Sequence, residues 1–421
     1  MAEQLLTSPL PRQSAWSRQV RRLFLTPEFA MFSIGSFPAA MGSWMQAVAL
    51  GWLVTLLGGS ALWLGLLSFA TMGPLLLAPF GGALVDRVDR RKTLLLCNSV
   101  SASATILLTI LAFNNRVTLT WLLVCAFLGG APNAIGWPAW SAFIAELVPN
   151  NALRQAVAVN SARFNLTRVI GPALAGVLLA SFGAAWCLAV AAAGTVVFLA
   201  VLLVIRPMHR RDREPSAPVF QALAAAARYI RDDQSMGRLL ISTGALGLLV
   251  LPYTSFLPRF AKDILGQGPQ ALGLLLTAGG AGAVAGAVLS GMRVLTRHPR
   301  RTSAALHIAS ALFAVSLALS PTLLLAAIAA IALGFSTTAY LSVANATMQM
   351  AAPPGMLGRL MGIWVVVNAG SVPVGGVILG ALASRWSLRP VEVVAALLAL
   401  IAVYALVTDR SRAAPASRAP A

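Results

Sequence analysis

Apolar residues fall into twelve runs along the chain, separated by short polar breaks. The runs cover roughly 29–57, 61–85, 93–113, 119–148, 156–182 and 186–205, then 239–256, 271–295, 303–319, 322–350, 357–383 and 391–407. A helix rises about 1.5 Å per residue, so about 20 residues cross the ~30 Å hydrocarbon layer. The pattern predicts an all-α membrane protein of twelve transmembrane helices, with tilt or kinks in the longer runs. The break after the sixth run, RPMHRRDREPSAP at 206–218, is the longest and most charged, and it divides the chain six and six. Beyond it Phe220, Leu223, Ala227 and Ile230 recur at helical spacing among Arg228, Arg231, Asp232 and Asp233. That spacing predicts an amphipathic helix lying along the membrane surface. The expected organisation is a tail over 1–26, a six-helix bundle over 27–205, a linker with that helix over 206–235, a second six-helix bundle over 236–408 and a tail over 409–421.

The halves repeat at an offset of 204 residues. Pro149, Leu153, Gly171 and Gly176 correspond to Pro353, Leu357, Gly375 and Gly380, and Gly82-Ala83 corresponds to Gly286-Ala287. Two related bundles side by side can rock about a central site and open either face, as alternating access requires.

Composition agrees with the pattern: 58% of the 421 residues are hydrophobic and 10% charged, with a mean hydropathy of +0.81. One soluble core could not hide that much apolar surface. The net charge of +19 would suit nucleic acid until the cations are located. Of 31 Lys and Arg residues, 23 fall on the breaks that share a side with the termini. Only Arg116, Arg259, Lys262, Arg385 and Arg389 fall on the opposite breaks, and Arg163, Arg168 and Arg293 lie within runs. This asymmetry orients membrane helices with their basic loops in the cytoplasm, against anionic lipid headgroups. It places both termini inside, in the inner membrane of a bacterium, and leaves no role for nucleic acid.

Cys97, Cys125 and Cys187 fall within runs, and His209, His298 and His307 are scattered. No metal, cofactor or catalytic cluster can be drawn from them, so an enzyme is not expected. The first 26 residues lack the apolar core and small-residue cleavage site of a signal peptide. A non-transporting sensor or scaffold would need a signalling domain, for which the tails and loops are short.

The break between the second and third runs reads GGALVDRVDRRKTLLL. It resembles the signature loop of the major facilitator superfamily: Gly82, Asp86 four residues on, then Arg87 and the basic pair Arg90 and Arg91, with Asp89 where the family usually has glycine. The resemblance implies a latch in which Asp86 meets the N-terminal end of span eleven, with Glu146 and neighbouring charges. A carboxylate there gains from the helix dipole and free N–H groups. The strings GSWMQAVALGWLV, PAWSAFIAELVP, NSARFNLTRVIGPALAG and LPYTSFLPRFAKDIL resemble the branch containing enterobactin-type exporters and macrolide-efflux-like proteins. In span five, Gly171-Pro172 and Gly176 resemble the superfamily's exporter motif, where proline kinks the helix and glycine admits a close neighbour.

Efflux of a hydrophobic or amphipathic small molecule by a monomeric transporter follows from that resemblance, with proton antiport as the implied coupling. Export of a siderophore or other endogenous metabolite is the alternative. A cavity lined by spans one, four, seven and ten would draw its wall from Trp44, Gln46, Asn133, Tyr253, Phe256, Tyr340, Asn345, Trp364 and Asn368. Arg168 stands about 18 Å into span five, where a cation needs water, carbonyls or an anionic ligand; structural anchoring and substrate contact both remain open. Arg163, about 10 Å in, is expected to reach Glu146. No carboxylate is expected at mid-depth, which leaves Asp86 and Glu146 as the titratable candidates.

The cation asymmetry predicts cytoplasmic termini and a cytoplasmic 206–218 loop. Reporter fusions at each should show cytoplasmic activity; periplasmic activity at either terminus would overturn the orientation.

Overall fold

The computed structural model describes residues 26–78, 80–81, 88–206, 219–291, 298–353 and 355–407. Gly82, Ala83, Asp86, Arg87, Arg293, both tails and the charged 207–218 stretch lie outside them, as does the side chain of Phe220. Among the described residues the chain is helical, without strands. The first bundle comprises α1 (Pro27–Leu56), α2 (Ala61–Leu77), α3 (Arg90–Phe113), α4 (Leu119–Leu147), α5 (Leu153–Ser181) and α6 (Ala184–Val204). A surface helix α7 (Val219–Asp232) leads into α8 (Gln234–Ile264), α9 (Pro269–Leu289), α10 (Pro299–Leu319), α11 (Leu323–Ala351), α12 (Leu357–Trp386) and α13 (Leu388–Val407). Twelve of these are the spans, and ten are long and apolar enough to cross a membrane by length and composition alone. Large apolar side chains such as Ile34, Leu203, Val288, Leu324 and Ile401 stand exposed around them. Lipid rather than water suits such a surface.

Polar residues at the breaks start several helices by accepting from free N–H groups of the first turn. Asp89 accepts from Lys92 N at 3.1 Å to begin α3. Asp233 accepts from Ser235 N and Met236 N to begin α8, and Thr118 and Thr322 do the same for α4 and α11. Pro38, Pro138, Pro172, Pro258 and Pro373 sit inside helices, and α4 and α8 are interrupted near Pro132 and Pro252. Span seven therefore runs well beyond the expected 239–256, because the apolar pattern breaks at a kink that the helix survives. The connection from α12 to α13 is the single residue Ser387, at φ 77°.

The surface helix α7 rests on α12 and α8, with Ala226 fully buried and Tyr229 and Ile230 against the core. Ala227, expected on its apolar face, is exposed. Leu223, Ala226 and Ile230 share the inner stripe, so the face is rotated by one residue.

Successive short connections place 57–60, 114–118, 182–183, 265–268, 320–322 and Ser387 at one end, called here the far end; the ends of α1 and α13 nearest the chain termini lie opposite. The bundles meet along two seams, α2 with α12 and α5 with α9. Under the 204-residue offset α5 corresponds to α12 and α2 to α9, so the two seams are the same contact made twice. Small residues bring the backbones together. A Cβ at Gly65 would overlap the Gly376 carbonyl oxygen, and one at Gly176 would stand 2.9 Å from the Cα of Gly273. Within lipid, helices gain little from hydrophobic burial against each other, so backbone contact at small residues carries the packing. Across the bundles Leu62 N donates to Ser384 Oγ at 3.0 Å, and Lys262 Nζ donates to the Thr55 carbonyl at 2.8 Å. The far end is closed.

Gly65→Ala should hold that seam apart. In a background lacking Cys97, Cys125 and Cys187, a Thr55→Cys reporter, buried in the closed seam, should label about tenfold faster when Gly65→Ala is added, and transport should fall. Tenfold corresponds to a bias of about 1.4 kcal/mol between states. Unchanged labelling would show that the seam is not a gate.

Candidate substrate cavity and charged end

A cavity of about 510 Å³ opens in the first bundle, between α1, α3, α4, α5 and α6. Its wall is rich in hydrogen-bonding groups: Asn98, Asn133, Asn160 and Asn165 with Ser36, Ser43, Ser101, Ser141 and Ser161, beside the rings of Trp137, Trp140 and Phe164. Among the described residues the lining holds one cation, Arg163, and no carboxylate.

Arg163 sits one turn after Asn160 on α5. Its Nη2 donates to Asn160 Oδ1 at 2.9 Å, and its Nη1 donates to Ser36 Oγ on α1. The guanidinium carbon lies 4.9 Å from the centre of the Trp140 ring, within cation–π range. Trp140 is held in turn by its own Nε1, which donates to Asn160 Oδ1 at 3.2 Å, and by Phe32 and Phe198, with ring centres 4.7 and 5.3 Å away. Arg163 does not reach Glu146, contrary to expectation. Glu146 is taken by Arg90, at 2.7 Å, with only 12% of either side chain exposed.

That pair belongs to the charged end of the first bundle. Arg91 donates to the Leu202 and Leu203 carbonyls at 2.8 and 2.5 Å, the free acceptors of the last turn of α6. The basic pair after the second span thus ties α3 to α4 through Arg90 and to α6 through Arg91. Asp89 takes the cap position at the head of α3. Gly82, Asp86 and Arg87, the remaining residues of the expected latch, lie outside the described residues.

Arg168 faces the other way, onto the α5–α9 seam. A Cβ at Gly280 would stand 2.9 Å from the Arg168 carbonyl oxygen, and Tyr253 of α8 is the side chain's electrostatic neighbour. The exporter-motif residues Gly171, Pro172 and Gly176 are all buried, and a Cβ at Gly171 would stand 2.7 Å from Trp44 Cβ.

Of the nine expected wall residues, Asn133 lines the cavity described above. Trp44 packs near Phe164 at 6.1 Å between ring centres, and Gln46 accepts from Thr105 Oγ1 at 3.2 Å. Tyr340 is fully buried in the second bundle, donating to Ser242 Oγ at 2.9 Å, while Ser242 is bonded to His307 Nδ1 at 2.8 Å. Trp364 and Phe256 are core residues; Asn345 pairs with Gln349, and the Asn368 carbonyl accepts from Ser371. Tyr253 and Phe256 share a closed space of about 10 Å³ with Glu392, four residues into α13, room for one water at most. Sequence reasoning missed Glu392 and most of the polar wall. The available signal was spacing: Asn98 with Ser101, Trp137 with Trp140 and Ser141, and Asn160 with Ser161 and Arg163, are polar or amphipathic stripes in otherwise apolar helices.

Paired six-helix bundles, a seam closed at one end and a polar cavity within one bundle define a secondary transporter of the major facilitator superfamily. Residues 23–419 match the family model for transmembrane secretion effectors, and the chain belongs to that family. It lies on the enterobactin-exporter-like branch: the enterobactin exporter EntS of Salmonella typhimurium is 28% identical over 367 residues, 86% of this chain and 85% of that protein. The staphyloferrin A transporter of Staphylococcus aureus is 27% identical over 250 residues, 58% of this chain and 62% of that one. Among solved structures, the nucleoside transporter NupG superposes with a TM-score of 0.73 at 13% identity, covering 90% of this chain and 98% of that one. A bacterial homolog of the human lysosomal transporter Spinster, inward-facing and occupied, gives 0.70 at 15% identity, covering 90% and 95%. The chain is a multi-pass membrane transporter and not an enzyme.

If Arg90 and Glu146 act as a unit, Arg90→Ala and Glu146→Ala should each lower the melting temperature by about 3–5 °C. The double substitution should lower it no further than the worse single. Additive losses would show that the two side chains are independent.

Proposed function

We propose that this protein exports an amphipathic, oxygen-rich small molecule of siderophore type from the cytoplasm, by alternating access across a bacterial inner membrane. The cavity carries the reading. Four asparagines, five serines and four aromatic rings line a space of about 510 Å³, within the range that holds a drug-sized ligand. Amides and hydroxyls recognise hydroxyl, carbonyl and carboxylate oxygens, whereas Trp137, Trp140 and Phe164 cover apolar or aromatic surface. A wholly hydrophobic cargo would leave those amides unpaired on binding, at a cost in affinity. The names of the relatives, one for enterobactin and one for staphyloferrin A, support the same substrate class.

The cation asymmetry supports cytoplasmic termini, which makes the closed far end periplasmic and the present state inward-facing. On that orientation Gly82, Asp86, Arg87, Arg90, Arg91 and Glu146 form a cytoplasmic latch, in which the Arg90–Glu146 pair already braces α3 against α4 in this state. Proton antiport supplies the energy in this reading, with Asp86, Glu146 and Glu392 as its candidate carboxylates. The transporter acts as a monomer, since each chain contains both bundles.

Deleting the gene should reduce the siderophore recovered from the medium of iron-limited cells and raise the amount retained inside, with re-expression restoring export. A protonophore should abolish the restored export. Unchanged siderophore secretion together with new sensitivity to neutral hydrophobic drugs would overturn the substrate class and favour drug efflux.

A further inference from the structure

We infer that Arg163 is the anion-recognising residue of the cavity, and that the molecule carried here presents a carboxylate or comparably acidic oxygen to it. The inference rests on the export reading above and narrows its substrate class.

Three observations carry it. Arg163 is a cation within a membrane-spanning helix whose hydrogen-bond partners are neutral, Ser36 Oγ and Asn160 Oδ1. Its Nε is enclosed without an acceptor. Arg90, whose Nε is likewise enclosed, has its charge neutralised by Glu146 at 2.7 Å. Arg163 is solvated without being neutralised, and no carboxylate among the described residues lines the cavity to do so. In a low-dielectric site an uncompensated cation favours an incoming anion strongly.

The side chain is also pre-positioned. Ser36 and Asn160 engage separate guanidinium nitrogens, and the Trp140 face covers the plane of the group. Asn160 Oδ1 joins Arg163 to Trp140 by accepting from both, so the three residues form one constellation on α4 and α5 closed by α1. Ordering beforehand removes much of the entropy cost of binding through a long side chain. A planar donor set suits a carboxylate, which can take two parallel hydrogen bonds by displacing the neutral acceptors. Trp137 and Phe164 stand exposed at the same wall, offering rings to the body of the ligand beside its acidic group.

Arg168 does not share this role. It lies on the seam between bundles, outside the cavity lining, where its neighbours are Gly280 and Tyr253.

The test is equilibrium binding to the purified full-length protein in lipid nanodiscs at neutral pH, which needs no turnover. The probes are a fluorescent 2,3-dihydroxybenzoyl-amino acid and its methyl ester, alike in shape and differing by one charge. Wild-type protein should bind the acid about 10–100-fold more tightly than the ester, the range of one charge-assisted hydrogen-bonded pair. Arg163→Gln should remove that preference by weakening the acid and sparing the ester. Arg163→Lys, which keeps the charge without the planar fork, should retain part of the preference and guards against a Gln variant that does not fold. Equal binding of acid and ester by wild type, binding of neither, or equal weakening of both by Arg163→Gln would overturn the inference. Loss of siderophore secretion in the deletion strain tests export separately, so an Arg163 result that fails leaves the export reading standing.

Discussion

Backbone contact between the two bundles is the constraint on which the rest of this structure depends. Lipid offers two helical bundles little reason to associate through apolar side chains, because the tails are equally apolar. What holds them is the approach of α2 to α12 at Gly65, and of α5 to α9 at Gly176 and Gly273, where a Cβ would run into the opposite main chain. Both contacts lie toward the same end, and the Leu62–Ser384 and Lys262–Thr55 hydrogen bonds reinforce them there. Because the pairs are equivalent under the internal repeat, one rotation loosens both. The seam is thus strong enough to define a state and local enough to be undone.

Charge is distributed by the same economy. Four arginines of the first bundle meet the cost of leaving water in different ways. Arg90 neutralises Glu146, Arg91 satisfies the carbonyls that end α6, and Arg168 sits on the seam next to Tyr253. Arg163 uses an aromatic face and two neutral oxygens. The first two hold the first bundle together as a body at its charged end, so it can tilt without distorting. Rigid-body movement is what distinguishes rocking from local unfolding.

The twelve spans, the repeat and the six-and-six division were legible in the sequence because lipid imposes length and composition on every crossing. The latch residues Arg90 and Glu146 could be named from motif and position, though not paired, since helix packing decides which acid meets which base. Arg163 was assigned to Glu146 on depth alone; depth does not give azimuth, and a helix rotated differently points the same residue at α1 and α4. The cavity wall was mostly missed for a related reason. Choosing single aromatics and amides across several spans favoured residues such as Tyr340 and Trp364, which complete a core. The wall instead came from residues clustered on one side of α3, α4 and α5, where several polar groups share a face. Glu392 was hidden by its place near the start of a span, where a carboxylate reads as a water-facing end.

The turn at Ser387 has a mechanical meaning. One residue, held at a positive φ, is all that separates α12 from α13. A linker that short cannot absorb rotation as slack, so the hairpin behaves as a lever with its fulcrum at the far end. Whatever tilts α12 away from α2 swings α13 with it, and Glu392 rides only a turn from the pivot. The motion that parts the bundles is thereby delivered to the walls around that carboxylate, giving α13 a share in it although α13 adds no residue to the described cavity lining.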